Sequence, residues 1–291
     1  MKVTLNNGVS MPALGYGVFR VAPDETTDVV TEALRVGYRL IDTAAVYDNE
    51  RAVGEAIRRS EADRDDVFVG TKIWINDYGY DAALNAFEKS RRKLGVETID
   101  LLLLHQPMHE SMGKTLETYR ALEQLLSDGR VRAIGVSNFM VEHLDTLIAH
   151  TEIVPAVNQI EVHPFFNQPQ VRKRHQELGI VTQAWSPIGG VTGYSSKATS
   201  RTFDDATIQR IAAEVGHTPA QVMLAWHLQE GRVPIPKSAT PHRIAENFQA
   251  IDLRISPEQI SDINALNTDH RLGPNPERVT LERMGKVISD A

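Results

Sequence analysis

Several polar side chains stand at the ends of short apolar runs, where they could act together on a carbonyl group. Asp42 ends the run "YRLID", Lys72 ends "VFVGTK" and His105 ends "IDLLLLH", while Tyr47 lies just after Asp42. A carboxylate that is buried without a partner is strongly disfavoured, so we expect Asp42 to pair with Lys72. A cation beside a phenol favours the phenolate, which would make Tyr47 a usable general acid near neutral pH.

His105 could donate a hydrogen bond to the oxygen of a substrate carbonyl or orient it. Together these groups suit an oxyanion that develops at a carbonyl, as happens when a hydride is delivered to its carbon. Each residue taken alone also has an ordinary explanation, as a helix cap, a core histidine or a surface lysine. Their shared position at the ends of strands favours the catalytic interpretation.

The elements that must position these residues follow the pattern of a (β/α)8 barrel. Near-continuous apolar runs alternate with amphipathic helical segments, which indicates a parallel sheet covered by helices. In such barrels the chemistry lies where the strands end, at the C-terminal face. The predicted strands are residues 13–18, 38–42, 67–72, 99–105, 132–137, 156–162, 180–186 and 233–237.

Two additions to the barrel are also predicted, within a single domain that spans residues 1–291. Asn6-Asn7-Gly8 between short apolar runs indicates an N-terminal β-hairpin. An extra helix, Pro257 to Leu266, precedes an irregular tail rich in Pro and Gly. The Gly- and Ser-rich stretch from Gly189 to Asp205 is expected to be a mobile loop over the active face.

The composition narrows the classes of protein that remain. The chain has 291 residues, a formal net charge of -7 and no cysteine, which rules out disulfides, zinc–thiolate sites and a cysteine nucleophile. The negative charge argues against nucleic acid, and no apolar run has the length of a signal peptide core or a membrane span. We expect a soluble, cytoplasmic protein.

The motifs around these residues resemble those of the aldo-keto reductase family over about residues 3 to 277. They are "LIDTAAVYDNERAVGEAI", "FVGTKIW", "DLLLLHQP", "IGVSNF", "NQIEVHP" and "IPKSATPHRIAENF". The chain looks most like the bacterial 2,5-diketo-D-gluconate reductase and prostaglandin F synthase-like branch. The resemblance implies a catalytic tetrad of Asp42, Tyr47, Lys72 and His105, with Tyr47 as proton donor. It implies reduction of aldehydes and ketones, such as methylglyoxal, aromatic aldehydes or keto-sugar acids.

The resemblance also implies that NADPH is the cofactor. The nicotinamide would lie on Trp185, with its carboxamide held by Ser137, Asn138 and Gln159. The adenosine 2′-phosphate would be held by Lys237, Ser238 and Arg243, where two cations meet a predicted helix N-terminus. The remaining cofactor-binding positions are Ser186, Pro187, Ile188, Ala239, Thr240, Glu246 and Asn247.

One position departs from the family pattern on the substrate side. The family usually has tryptophan after His105, whereas this chain has Gln106. We therefore expect a substrate pocket that is more polar or more open at that wall. Phe19, Trp74 and Met108 are the other candidate walls, although core packing also accounts for Phe19 and Met108.

Other functions find less support in the sequence. Gly15 and Gly17 begin a dinucleotide-binding glycine pattern that fails at Arg20, and a phosphate-binding loop ending at Gly113-Lys114-Thr115 lacks its first glycine. No clustered histidines predict a metal, and Glu161 lacks the second carboxylate that a glycosidase needs. A cofactor-sensing regulatory subunit with little turnover remains the alternative from another class. The resemblance suggests a monomer that takes a small carbonyl substrate.

Overall fold

The N-terminal segment forms a hairpin, as its Asn-Gly sequence predicts. The structure, a computed structural model, describes residues 1–189 and 202–288. Strand β1 (Lys2–Thr4) pairs antiparallel with β2 (Ser10–Pro12). Gly8 has a φ of 84° in the connecting turn, a conformation that glycine adopts without the steric cost of a Cβ.

Eight parallel strands follow, and strands that are neighbours along the chain are neighbours in the sheet. Each overlaps one of the predicted apolar runs. The strands are β3 (Tyr16–Gly17), β4 (Leu40–Asp42), β5 (Phe68–Ile73), β6 (Ile99–Leu104), β7 (Val131–Ser137), β8 (Val157–Glu161), β9 (Val181–Trp185) and β10 (Val233–Pro234). The prediction of a (β/α)8 barrel with an N-terminal hairpin is confirmed.

Two backbone hydrogen bonds close the barrel between its first and last strands. Gly15 N donates to the Pro234 carbonyl and Gly17 N donates to the Pro236 carbonyl, both at 3.0 Å. A Cβ on Gly15 would lie 2.7 Å from Ile235 Cγ2, closer than the packing allows. Glycine at position 15 therefore lets the two edges of the sheet approach each other.

The interior of the barrel is apolar at one end and polar at the other. Gln159 Nε2 on β8 donates to Asp42 Oδ1 on β4 at 2.7 Å, a contact that crosses the interior. Leu40 precedes Asp42 by one pleat and faces the same side, in a cluster with Leu5 and Met11 of the hairpin. The hairpin thus covers the apolar N-terminal end, while the polar residues collect at the C-terminal end.

Helices surround the strands and connect them. They are α1 (Pro23–Val36), α2 (Glu50–Arg59), α3 (Tyr80–Leu94), α4 (Met112–Ser127), α5 (Val141–His150), α6 (Pro169–Leu178), α7 (Ala206–Val215), α8 (Pro219–Gln229), α9 (Pro241–Gln249), α10 (Pro257–Asn264) and α11 (Leu281–Met284). Gly179 and Gly216 end their helices in the left-handed conformation, which glycine favours at this position. The extra C-terminal helix is present as α10, although it ends two residues before the predicted Leu266.

Two histidines are buried in the helical layer and held neutral. His175 Nε2 lies 2.8 Å from Asn158 Nδ2, and its Nδ1 lies 2.8 Å from Thr182 Oγ1. Burial lowers the pKa of His175 to about 3. Burial, reinforced by the Arg232 guanidinium, lowers the pKa of His227 well below its ordinary value. Both rings therefore take up a proton only when the chain unfolds at acidic pH.

We expect the free energy of unfolding to fall as the pH drops below about 6.5, the ordinary pKa of histidine. The unfolded chain then binds protons that the two buried rings do not, and the His175 ring alone costs about 2 kcal/mol of stability at pH 5. Urea unfolding near pH 7.5 and near pH 5 would measure the loss. His175→Gln should reduce the pH dependence, whereas His217→Gln, at an exposed position, should not; equal dependence in both variants would contradict the assignment.

Candidate active site

A buried ion pair joins the ends of two neighbouring strands. Lys72 Nζ lies 2.8 Å from both carboxylate oxygens of Asp42, and it donates to the Thr43 carbonyl at 2.8 Å. Lys72 is 0% exposed and Asp42 is 4% exposed. The three N–H donors of the ammonium therefore have three oxygen acceptors around them, which is what a buried cation requires.

Tyr47 lies against this ion pair. It follows β4 on a single 3₁₀ turn, and Lys72 Nζ lies 5.1 Å from the centroid of its ring. Burial lowers the pKa of Lys72 below its ordinary value, and the Asp42 carboxylate opposes that shift. Asp42 therefore helps to keep the positive charge that faces the phenol.

His105 completes the group. Its ring centroid lies 5.7 Å from that of Tyr47 and 4.9 Å from that of Trp74, both in edge-to-face contacts. Burial, reinforced by the Lys72 ammonium, lowers the pKa of His105 well below its ordinary value. The ring is therefore neutral at physiological pH, with one N–H donor and one acceptor nitrogen. The four predicted catalytic side chains thus lie together at the C-terminal end of the barrel.

A network of polar side chains continues from the ion pair toward Trp185. Besides its bond to Asp42, Gln159 Nε2 donates to Gln183 Oε1 at 2.7 Å. Ser137 Oγ donates to the Gln159 carbonyl at 2.8 Å, and Trp185 Nε1 donates to Asn138 Oδ1 at 2.9 Å. The indole therefore has a fixed orientation that is tied to the same network.

An open cleft of about 970 Å³ lies over this network and the four catalytic candidates. Asp42, Tyr47 and His105 form part of its floor, and Lys72 lies beneath them. Phe19, Trp74 and Gln106 line the same cleft. So does every predicted cofactor-binding residue: Ser137, Asn138, Gln159, Trp185, Ser186, Pro187, Ile188, Lys237, Ser238, Ala239, Thr240, Arg243, Glu246 and Asn247.

The C-terminal tail contributes residues that the sequence did not reveal. Arg283 and Met284 of the short helix α11, and Lys286 just after it, line the cleft. Lys286 N donates to Asn76 Oδ1 at 2.7 Å, and Lys286 Nζ donates to the Val46 carbonyl at 3.2 Å. The sequence does indicate the start of α11, because Thr280 is a typical helix N-cap. No local pattern, however, predicts where that helix packs.

Among residues 1–189 and 202–288, no group of His, Cys, Asp or Glu side chains could hold a metal ion. Within the same residues, no helix has the length and apolarity needed to cross a membrane. The predicted loop from Gly189 to Asp205 lies largely outside the described part of the chain, which resumes at Thr202.

Comparison with known proteins identifies the family. The Aldo/keto reductase family model matches residues 8–268. The chain belongs to the aldo-keto reductase family. It is 47% identical to morphine 6-dehydrogenase of Pseudomonas putida (98% of each chain) and 44% identical to glyoxal reductase of Bacillus subtilis (95% of this chain, 96% of the relative). A Bombyx mori aldo-keto reductase in complex with NADP has a TM-score of 0.88, with 33% identity over 94% of this chain and 95% of that one.

One predicted substrate wall of this aldo-keto reductase lies elsewhere. Met108 is not among the residues that line the cleft; it is 3% exposed and packs in the main apolar cluster. The backbone turns there with a φ of 43°, which directs the side chain into the core. The alternative of core packing therefore describes Met108, whereas Phe19 is 37% exposed at the cleft.

Gln106 stands where the aldo-keto reductase cleft was expected to be more polar. Tyr78 Oη donates to the Gln106 carbonyl at 2.6 Å and accepts from Gln106 N at 3.2 Å, which fixes the backbone. Gln106 Oε1 and Trp74 Nε1 are buried, and neither has a hydrogen-bond partner among the described residues. An acceptor and a donor are thus unsatisfied on the wall beside His105.

Removing one member of the ion pair should destabilise the protein far more than replacing both members. Asp42→Ala leaves a buried ammonium without its counter-charge, and we expect it to lower the free energy of unfolding by about 3–5 kcal/mol. The double substitution Asp42→Leu with Lys72→Met should recover most of that loss, although not activity. Urea unfolding measures both; a double variant as unstable as the single one would show that packing, not charge, dominates.

Proposed function

We propose that this aldo-keto reductase reduces aldehydes or ketones to alcohols with NADPH. The observation that carries the proposal is the convergence of the Asp42–Lys72 pair, Tyr47 and neutral His105 on one cleft. A carbonyl oxygen placed there would meet a phenolic O–H and an imidazole N–H beside a buried cation. These are the groups that stabilise negative charge developing on oxygen.

The residues of the cleft fit a large anionic cofactor. Five lysines and arginines line it among the described residues, against two carboxylates, Asp42 and Glu246. Asp42 is paired with Lys72, and Glu246 Oε1 accepts a hydrogen bond from Thr218 Oγ1 at 2.9 Å. Lys237 and Arg243 are exposed at the far end, on either side of the N-terminus of α9. Cations and a helix N-terminus suit the 2′-phosphate of NADPH.

The chemistry divides between the cofactor and the chain. When bound, NADPH supplies the hydride for the carbonyl carbon. Tyr47 donates a proton from its hydroxyl to the carbonyl oxygen, and the Lys72 ammonium stabilises the phenolate that remains. Asp42 keeps that ammonium charged, while the neutral His105 ring donates a hydrogen bond that orients the substrate oxygen. Trp185, held by Asn138, offers a flat surface for the nicotinamide.

The substrate class follows from the wall beside His105. Gln106 Oε1 and Trp74 Nε1 lack partners, and a buried polar atom without a partner is costly. With a small side-chain rotation, a hydroxyl next to the reacting carbonyl could donate to Gln106 Oε1 and accept from Trp74 Nε1, whereas a second carbonyl could only accept from Trp74 Nε1. Small, polar carbonyl compounds therefore suit the site better than alkyl ones. The names of the relatives, which include a glyoxal reductase, are compatible with such a substrate.

A cofactor-sensing protein with little turnover is the alternative. It would use the same cofactor-binding residues without needing a proton donor. The catalytic group and the open substrate wall favour turnover, because neither is required for sensing.

Tyr47→Phe tests the reaction directly. The substitution keeps the ring against Lys72 but removes the proton, so kcat for carbonyl reduction should fall by about 100-fold or more. NADPH affinity, measured by fluorescence titration, should stay within about threefold of the wild type, since the ring is retained. Tyr80→Phe, on an exposed tyrosine outside the cleft, is the control. A Tyr47→Phe enzyme that kept most of its kcat would exclude this proton donor.

A matched pair of aldehydes tests the substrate class. We expect kcat/KM for glyceraldehyde to exceed that for butanal, because only glyceraldehyde has hydroxyl groups that can form hydrogen bonds with the two unpaired atoms. Gln106→Leu, which preserves size without polarity, should reduce the ratio by about tenfold. If the ratio of the two kcat/KM values did not change, Gln106 would not contact the substrate. NADPH binding without turnover of either aldehyde, or of methylglyoxal, would favour the sensing alternative.

Arg243→Ala tests the choice of cofactor. Only NADPH carries the 2′-phosphate, so its Kd should rise by about 10- to 100-fold, while the Kd for NADH should hardly change. Arg92→Ala, at an exposed arginine on α3, controls for loss of a surface charge. Equal weakening of both cofactors would mean that Arg243 holds another part of the dinucleotide.

A further inference from the structure

Glu161 is a buried carboxylate that the proposed reaction does not use. It is the last residue of β8 and is 0% exposed. It does not line the cleft. A carboxylate in such a place must be fully hydrogen-bonded, so its partners show what it holds.

The partners of Glu161 come mainly from the C-terminal tail. Glu161 Oε1 accepts from Leu272 N at 2.7 Å, and both its oxygens accept from Gly273 N at 3.1 Å. His163 Nε2 lies 3.2 Å from Oε1, and the Arg271 guanidinium lies 3.5 Å from Oε2. Two consecutive backbone N–H groups of the tail therefore point at one buried carboxylate.

The loop after β8 holds the same part of the tail a second time. The Phe165 carbonyl accepts from Thr268 N at 3.1 Å and from His270 N at 3.2 Å. The Arg271 guanidinium lies 4.6 Å from the centroid of the Phe166 ring. Residues 268–273 are thus fixed to the end of β8 over their whole length.

Gly273 lies directly against Trp185. A Cβ on this residue would be 2.2 Å from Cη2 and 2.9 Å from Cζ3 of the indole, so only glycine allows the contact. Glu161 and Trp185 are register partners on β8 and β9, which places the carboxylate next to the strand end that carries the ring. Trp185 is held by Gly273 on the ring carbons and by Asn138 on its Nε1.

We propose that Glu161 is a positioning residue for the cofactor, acting through the tail. Its carboxylate holds Leu272 and Gly273 against Trp185, and this contact fixes the indole as the surface for the nicotinamide end. Glu161 touches neither substrate nor cofactor. The inference rests on the proposed NADPH site, and it assigns to a buried acid and a tail glycine a role in binding one half of the cofactor.

Two substitutions test the contact from its two ends. Glu161→Gln keeps the shape but puts an amide N–H₂ where an oxygen accepted from the tail. Gly273→Ala keeps the Glu161 side chain and pushes a methyl group into the indole, with Glu161 Oε2 3.0 Å away; the φ of Gly273 is not positive, so the backbone adds no strain. Gly113→Ala, whose Cβ would meet no atom within 4 Å, is the control.

The readout compares two ligands. 2′,5′-ADP occupies only the adenosine half of the site, whereas NADPH occupies both halves. We expect both variants to weaken NADPH by about tenfold and to leave 2′,5′-ADP within about twofold of the wild type. Folded variants that bind NADPH as the wild type does, or that lose both ligands equally, would overturn the proposal. A wild type that binds no NADPH would instead refute the proposed function, and the inference with it.

A second readout needs no cofactor. Trp74 and Trp226 are 5% and 0% exposed, while Trp185 is half-buried, so acrylamide quenching of the three tryptophans reports mainly on Trp185. Glu161→Gln and Gly273→Ala should increase the quenching constant, and Trp185→Phe should abolish the increase. If Glu161→Gln fails to fold, Gly273→Ala still decides the question. No increase in a folded Gly273→Ala variant would contradict the fixed indole.

Discussion

The site depends on one buried charge, the Lys72 ammonium. Three oxygens surround it at 2.8 Å, and two of them belong to the Asp42 carboxylate. Burial alone would remove the proton, so the carboxylate and the carbonyl are needed to keep a cation in the barrel. The same cation acts on its two neighbours in the same direction, because a positive charge favours the deprotonated form of each. It lies 5.1 Å from the Tyr47 ring, where it would stabilise the phenolate left after proton transfer, and it adds to the burial that lowers the pKa of His105.

The barrel fold itself brings these groups together, because parallel strands end at the same face of the barrel. Apolar side chains and the hairpin close the interior below, on the side of the ion pair away from the cleft. Gln159 ties the pair to the opposite wall, and Ser137 binds the Gln159 carbonyl. Loss of alignment at any one strand end would therefore be transmitted to the others through hydrogen bonds rather than through the apolar core.

The sequence predicted those parts of the site that depend on strand position. Asp42, Lys72 and His105 each end an apolar run, and register alone brings them together. Met108 could not be placed, because its direction depends on a left-handed φ that no local pattern shows. The bond from Gln159 to Asp42 spans 117 residues, and the bonds from Lys286 to the loop near Asp48 span more than 200, so both depend on tertiary packing. The predicted contacts to a cofactor stay predictions.

The tail is attached to the barrel in two physically different ways. Near Trp185 it is held by the buried carboxylate of Glu161, where each hydrogen bond is strong because water is absent. Near the substrate it is held by Lys286 and Asp48, which are 48% and 42% exposed, and exposed ion pairs contribute little. The weaker attachment lies beside Arg283 and Met284 at the cleft. We therefore expect the segment beside Arg283 and Met284 to move at a smaller cost in free energy than the segment held by Glu161.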